Sequence, residues 1–219
     1  MKEKFGVSGF TLKVIAIISM CIDHVGAVLF PQYLVLRIIG RLAFPLFAFL
    51  LVEGFMHTTD IKKYTIRIGL FALLSEIPFD LAFNHKLVDF SHQNIFFTLF
   101  LALLFMIVAT KIHRVSLRIL LWLLILGAAF IGGVDYSFAG VLIIVVFYYN
   151  YGYRRNQLIY FTIMNLAFWG MTVQAFACMA VIPIWFYNGE RGRKMKYFFY
   201  LFYPLHLLVI YGIFWYSRH

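Results

Sequence analysis

The sequence predicts an all-α protein, a polytopic bundle of about nine membrane-spanning helices with its N-terminus in the cytoplasm. Three observations carry that expectation. Of 219 residues, 63% are hydrophobic and only 13% charged, too little polar surface to cover a domain in water. Apolar stretches of about 17 to 25 residues recur from end to end, long enough to cross ~30 Å of hydrocarbon as helices. Runs such as FFTLFLALLFMIVAT are continuously apolar, whereas the strands of a membrane barrel would alternate.

The first span, 9–30, follows Lys2 and Lys4 and carries Asp23 and His24 side by side near its far end. Val25-Gly26-Ala27 loosely resembles a signal-peptide cleavage site, but Asp23 and His24 stand where neutral small residues are usual, so a retained helix is expected. The second span, 37–56, opens on Arg37 and Arg41, which share a helix face, and carries Glu53 in its inner half. The third, 64–83, follows Lys62 and Lys63 and closes on Glu76, Pro78 and Asp80. The fourth, 94–110, opens on Gln93 and Asn94 and ends at Lys111, and the fifth, 116–132, begins among Arg114 and Arg118. The sixth, 137–150, follows Asp135 and Tyr136. Beyond Arg154 and Arg155, the region 156–187 reads either as two short spans, 156–170 and 172–187, or as one long tilted helix broken near Gly170. The last span, 197–216, holds Pro204 and His206.

Charge placement selects the orientation. With the N-terminus inside and nine spans, only Arg37, Arg41, Lys86 and Arg218 of the 19 basic residues fall on the outer side. The net charge of +10 is thereby accounted for by basic loops held in the cytoplasm, with no nucleic-acid partner required. The expected location is the bacterial cytoplasmic membrane, as a multi-pass protein. No internal repeat, low-complexity tract or linker divides the chain, so 1–219 is one domain. Cys21 and Cys178 lie in separate apolar spans without metal-type spacing, so they read as small core hydrophobes and no metal site is expected.

An ionised carboxylate at the centre of a membrane helix costs about 2.5 to 3.5 kcal/mol on insertion scales. Asp23, His24, Arg37, Arg41, Glu76, Asp80, Gln93, Asn94 and Asp135 nevertheless all fall at the outer ends of their spans, in one polar layer. Two arginines against Asp23, Glu76 and Asp80 supply the partners that buried charge needs. Lys13, Ile17, Met20 and His24 form one stripe of the first helix, with His24 toward the outer end. A titratable histidine in such a layer suggests proton chemistry.

The segments LKVIAIISMCIDHVGAVLF, RIIGRLAFPLFAFLLVEGF, YTIRIGLFALLSEIPFDLAF, QNIFFTL and FYPLHLL, in this order, resemble the TraX family of integral membrane proteins, densely over about residues 9–100 and again at 197–210. TraX is the conjugation-associated protein credited with N-terminal acetylation of F-type pilin, and its family resembles the wider group of type-three membrane acyltransferases. The resemblance implies acetyl-CoA as co-substrate and an acceptor near the outer face of the lipid bilayer: a protein N-terminus, a glycan or a lipid. It also carries the working groups of those enzymes onto His24, Arg37 and Arg41, although R-I-I-G-R differs in spacing from their arginine motif.

Read so, His24 is a general base for an acceptor amine or hydroxyl, and Asp23, Glu76 or Asp80 orients its ring. Arg37 and Arg41 stabilise an oxyanion or hold the carboxylates, and with Glu53, Asn94 and His206 they are candidates for contact with acetyl-CoA. Two other functions fit the same residues: a proton-coupled transporter, since intramembrane ionisable groups also form relays, and a noncatalytic membrane assembly partner.

Overall fold

A computed structural model describes residues 6–218, and every regular element in them is helical, as expected. Helix α1 (Gly9–Val28) starts where the Ser8 hydroxyl accepts the Thr11 amide at 3.2 Å. The second expected span is two helices, α2 (Leu34–Gly40) and α3 (Ala43–His57). Pro45 explains the joint: it has no N–H for the Arg41 carbonyl one turn back, and the Arg41 and Leu42 amides bond three residues back instead of four. Pro78 does the same to the third span, which divides at Ser75 into α4 (Ile61–Leu74) and α5 (Glu76–Asn84).

Helices α6 (Ile95–Lys111), α7 (Val115–Ile131) and α8 (Ser137–Tyr149) follow. Then α9 (Arg154–Trp169) stops at Gly170, whose φ of 50° lies in the region glycine favours, and the chain turns back through the 3-10 helix Val173–Ala180 into α10 (Val181–Trp185). Arg154 at the start of α9 donates to the Ile184 carbonyl at the end of α10, so these are two antiparallel segments and not one tilted helix. The returning one is short: eight 3-10 and five α residues rise about 23 Å, less than ~30 Å of hydrocarbon. Helix α11 (Lys196–Tyr216) closes the chain.

Among the described residues, three segments are long and apolar enough to cross a membrane: Gly9–Val28, Leu34–His57 and Tyr197–Tyr216. The shorter apolar helices pack around them as a helical membrane bundle. Its centre is built by α1, α3, α6 and α8, where Leu12, Leu46, Phe49, Leu103 and Phe147 are buried. Only Ala129 of α7 is buried, leaving Leu120, Leu123 and Leu124 as an apolar outer face.

Two loop contacts define the ends of the bundle. At one, the Val7 amide donates to the Phe186 carbonyl at 2.8 Å, beside the basic stretch Arg191, Arg193 and Lys194. At the other, Gln93 bridges Gly133 and Asp135, with bonds of 3.0 and 2.9 Å that tie the loop before α6 to the loop before α8. The polar residues gathered by the sequence reading lie toward this second end.

Candidate functional site

Asp23 is held by both arginines of the second span. Arg37 Nη1 donates to Asp23 Oδ2 at 3.0 Å and to the Asp23 carbonyl at 3.0 Å, while Arg41 Nη2 donates to Asp23 Oδ1. Arg41 also donates from Nε to the Arg37 carbonyl at 3.1 Å, and from Nη1 to Gln174 Oε1 at 3.2 Å and the Tyr136 hydroxyl at 3.4 Å. The hairpin is tight because it is built on glycines: a Cβ on Gly40 would lie 2.1 Å from Asp23 Oδ1, and one on Gly26 would lie 2.6 Å from Leu36 Cβ. Two guanidiniums share the Asp23 carboxylate, so these three side chains carry a net charge of +1, which the Asp135 carboxylate in the loop before α8 offsets in part at Arg41. Arg37, with 32% of its side chain exposed, is the member open to a ligand.

His24 faces elsewhere. Successive side chains on a helix diverge by about 100°, so Asp23 meets α2 while the neighbouring imidazole meets α11. His24 Nδ1 lies 2.7 Å from His206 Nε2, and His206 Nδ1 lies 2.9 Å from the Phe202 carbonyl. Phe83 and Tyr203 pack edge-on against the His24 ring, at centroid distances of 5.2 and 6.0 Å. The Lys13–His24 stripe of α1 meets α11 at both its ends, with Lys13 over the Phe199 ring at 5.5 Å and His24 against His206.

The remaining candidates are distributed differently from the expectation. Asp23, Glu76 or Asp80 was expected to orient the imidazole of His24; the structure sets a second histidine there. Asp80 is fully buried and serves a loop, Oδ2 accepting the Asp89 amide at 2.7 Å and Oδ1 accepting Asn84 Nδ2 at 3.3 Å. Asn94, a candidate for acetyl-CoA, has both side-chain atoms engaged. Its Nδ2 donates to the Ala72 carbonyl at 2.8 Å and to Glu76 Oε2, and its Oδ1 caps α6 through the Phe96 amide at 3.0 Å. Glu76 keeps a second oxygen, Oε1, buried without a hydrogen-bond partner.

Glu53 sits about 18 Å along the α3 axis from Arg41, at the basic end. There it accepts the Tyr187 hydroxyl at 3.2 Å and, with His57, Tyr151, Arg154 and Gln157, lines a cavity of about 190 Å³. Arg154 is committed to the Ile184 carbonyl and to the faces of Phe49 and Tyr187, 4.9 and 5.0 Å away. Among the described residues, no group of three or more His, Cys, Asp or Glu side chains is placed to hold a metal ion.

Beside the Asp23 cluster lies a groove of about 410 Å³, lined by His92, Tyr136, Phe138, Phe168 and Trp169. Tyr136 joins groove and cluster: its ring stacks on Phe44 at 4.1 Å and its hydroxyl accepts from Arg41. Both Tyr136 and Ser137 have positive φ, 61° and 52°, a conformation that costs non-glycine residues energy and tends to gather at functional sites. At the rim His92 Nε2 lies 3.6 Å from Asp135 Oδ1, and that carboxylate raises the His92 pKa above its ordinary value. The sequence reading noted Tyr136 without a role and missed Gln174. A lone glutamine in the apolar run TVQAFACMAV was the available signal, since a buried amide in a membrane needs a partner.

The chain matches the TraX protein family over residues 8–214. It is 34% identical to a probable fimbrial assembly protein FimC, serogroup H1, of Dichelobacter nodosus, over 96% of this chain and 97% of that protein. A stretch of 38 residues is 53% identical to an uncharacterized protein of Rickettsia prowazekii (strain Madrid E), covering 17% of this chain and 15% of that one. No solved structure matches the chain. The family match runs from the cap of α1 to the last turn of α11 and contains both the Asp23 cluster and the His24–His206 pair: this chain belongs to the TraX family.

Proposed function

We propose that the chain is a membrane-embedded acetyltransferase. In this reading it moves an acetyl group from acetyl-CoA, taken up at the basic end, to an amine or hydroxyl presented at the opposite end. The observation that carries the proposal is the 2.7 Å His24–His206 contact on the same helix turn as a carboxylate bound by two arginines. An imidazole base and arginine N–H donors both favour acyl transfer from a thioester.

His24 takes the proton of the acceptor N–H or O–H as that atom attacks the thioester carbonyl. The oxyanion that forms lies near the Arg37–Arg41 pair, with the exposed N–H groups of Arg37 as its donors. Collapse restores the carbonyl, breaks the C–S bond and releases coenzyme A thiolate, which the proton on His24 neutralises. The basic end carries Lys111, Arg114, Arg155, Arg191, Arg193 and Lys194, a field suited to the donor's phosphates.

A second reading, a noncatalytic assembly partner, has its own support. Between the cavities at the two ends, Leu46, Ala48 and Phe49 of α3 are fully buried, and the Dichelobacter relative is named for fimbrial assembly. Binding of labelled acetyl-CoA to the protein in nanodiscs separates the two. Saturable binding that weakens in Arg37→Ala or when Arg191, Arg193 and Lys194 are neutralised supports the transferase. Absence of binding at millimolar donor removes it and leaves the assembly role.

A further inference from the structure

The His24–His206 contact fixes more than proximity. A carbonyl oxygen only accepts, so the 2.9 Å contact with Phe202 requires a hydrogen on Nδ1 of His206. A neutral imidazole carries one N–H, which leaves a lone pair on His206 Nε2. That lone pair lies 2.7 Å from His24 Nδ1, so the hydrogen between the rings belongs to His24. Its own lone pair is then on Nε2, the far side of the ring.

The surroundings hold this order. Phe202 stacks on His206 at 5.1 Å and an interplanar angle of 11°, and Phe83 and Tyr203 close on the edges of His24. A proton arriving at His24 Nε2 leaves both hydrogen bonds intact, so the ring can gain and lose it without turning. The reverse order, with the shared hydrogen on His206, would place a second N–H on that ring or break the bond to Phe202, and would block Nε2 of His24.

Resting on the acetyltransferase reading above, we propose that His206 is a positioning residue: anchored by the Phe202 carbonyl, it holds His24 in the Nδ1–H tautomer and makes Nε2 of His24 the base. This role is distinct from the acetyl-CoA contact that the sequence suggested for His206, and Asp23 has no part in it.

The test uses the full chain in nanodiscs with ¹⁵N-labelled histidine, the His24 signals being assigned by their loss in His24→Asn. In the wild type, Nδ1 of His24 is expected at a pyrrole-type shift and Nε2 at a pyridine-type shift. His206→Phe is expected to move His24 toward the Nε2–H form and lower kcat for acetyl transfer by about a hundredfold, the scale of a lost general base, with KM for acetyl-CoA held within about twofold. His206→Gln, whose amide oxygen can accept from Nδ1, restores both the tautomer and most of kcat. An unchanged His24 spectrum or an unchanged kcat in His206→Phe overturns the inference. Absence of transfer by the wild type, with the spectral change still present, refutes the acetyltransferase reading alone and leaves the tautomer assignment standing.

Discussion

Replacing Asp23 by asparagine keeps the shape of the side chain and removes its charge, so it measures what the arginines gain from the carboxylate. The Asp23 side chain is 13% exposed, between Arg41 at 14% and Arg37 at 32%. Removing one partner of a buried pair costs about 3 to 5 kcal/mol, and an exposed pair is worth about 0 to 1. The Arg41 arm belongs to the first class, and the Arg37 arm, a third exposed, lies near the second. Asparagine retains one acceptor, worth about 1 kcal/mol as a neutral hydrogen bond. The net loss is about 3 kcal/mol. At about 2 to 4 °C per kcal/mol for a chain of this size, Tm falls by about 6 to 12 °C. Tryptophan fluorescence during thermal unfolding in nanodiscs reads it directly, with Arg37→Met expected to cost less than Arg41→Met. A Tm for Asp23→Asn within about 2 °C of wild type, or the opposite order for the arginines, would show that the carboxylate does not hold the two arginines.

Gly40→Ala places a methyl group against the base of the Asp23 side chain, where nothing flexible can yield. It is expected to cost about 3 kcal/mol by overpacking and by separating the charges, while Gly127→Ala, which meets nothing within 4 Å, should be neutral or mildly stabilising, and unfolding curves compare the two. Asp80→Ala frees the loop that its carboxylate anchors, so trypsin should cut at Lys86 faster in the variant, and an unchanged rate would contradict the loop assignment. His92 has a raised pKa in the folded state, so its pairing with Asp135 contributes fully below about pH 6.5, the ordinary histidine value, and is lost as pH rises through the folded pKa. Because the pair is well exposed, the difference between wild type and His92→Gln should stay below about 1 kcal/mol at pH 5.5 and vanish by pH 9, as pH-dependent unfolding would show.

Much of this site was legible because membranes tolerate few charges and oblige them to pair. Arg37 and Arg41 at one helix face, close in sequence to Asp23, left a short list of partners, and the hairpin between them made Asp23 the nearest. The prolines that divide the second and third spans were visible too, but their effect depends on which carbonyl each leaves without a donor. The rest required the packed chain. Asp23 and His24 are neighbours in sequence and for that reason point to different helices, so the carboxylate that looked poised for the histidine serves the arginines. His206 lies 182 residues away, and only the docking of α11 against α1 brings it to His24. Asp80 looked catalytic and Asn94 looked like a contact for acetyl-CoA because both are polar groups in apolar surroundings; in the structure Asp80 anchors the loop at Asp89 and Asn94 caps α6.

The decisive measurement is transfer of labelled acetyl from acetyl-CoA by the purified protein, reconstituted in vesicles with a peptide N-terminus or a glycan offered on the outer side. The wild type should turn over, and His24→Ala should lose about a hundredfold or more at unchanged donor binding. Equal rates for the two proteins would rule out His24 as the base.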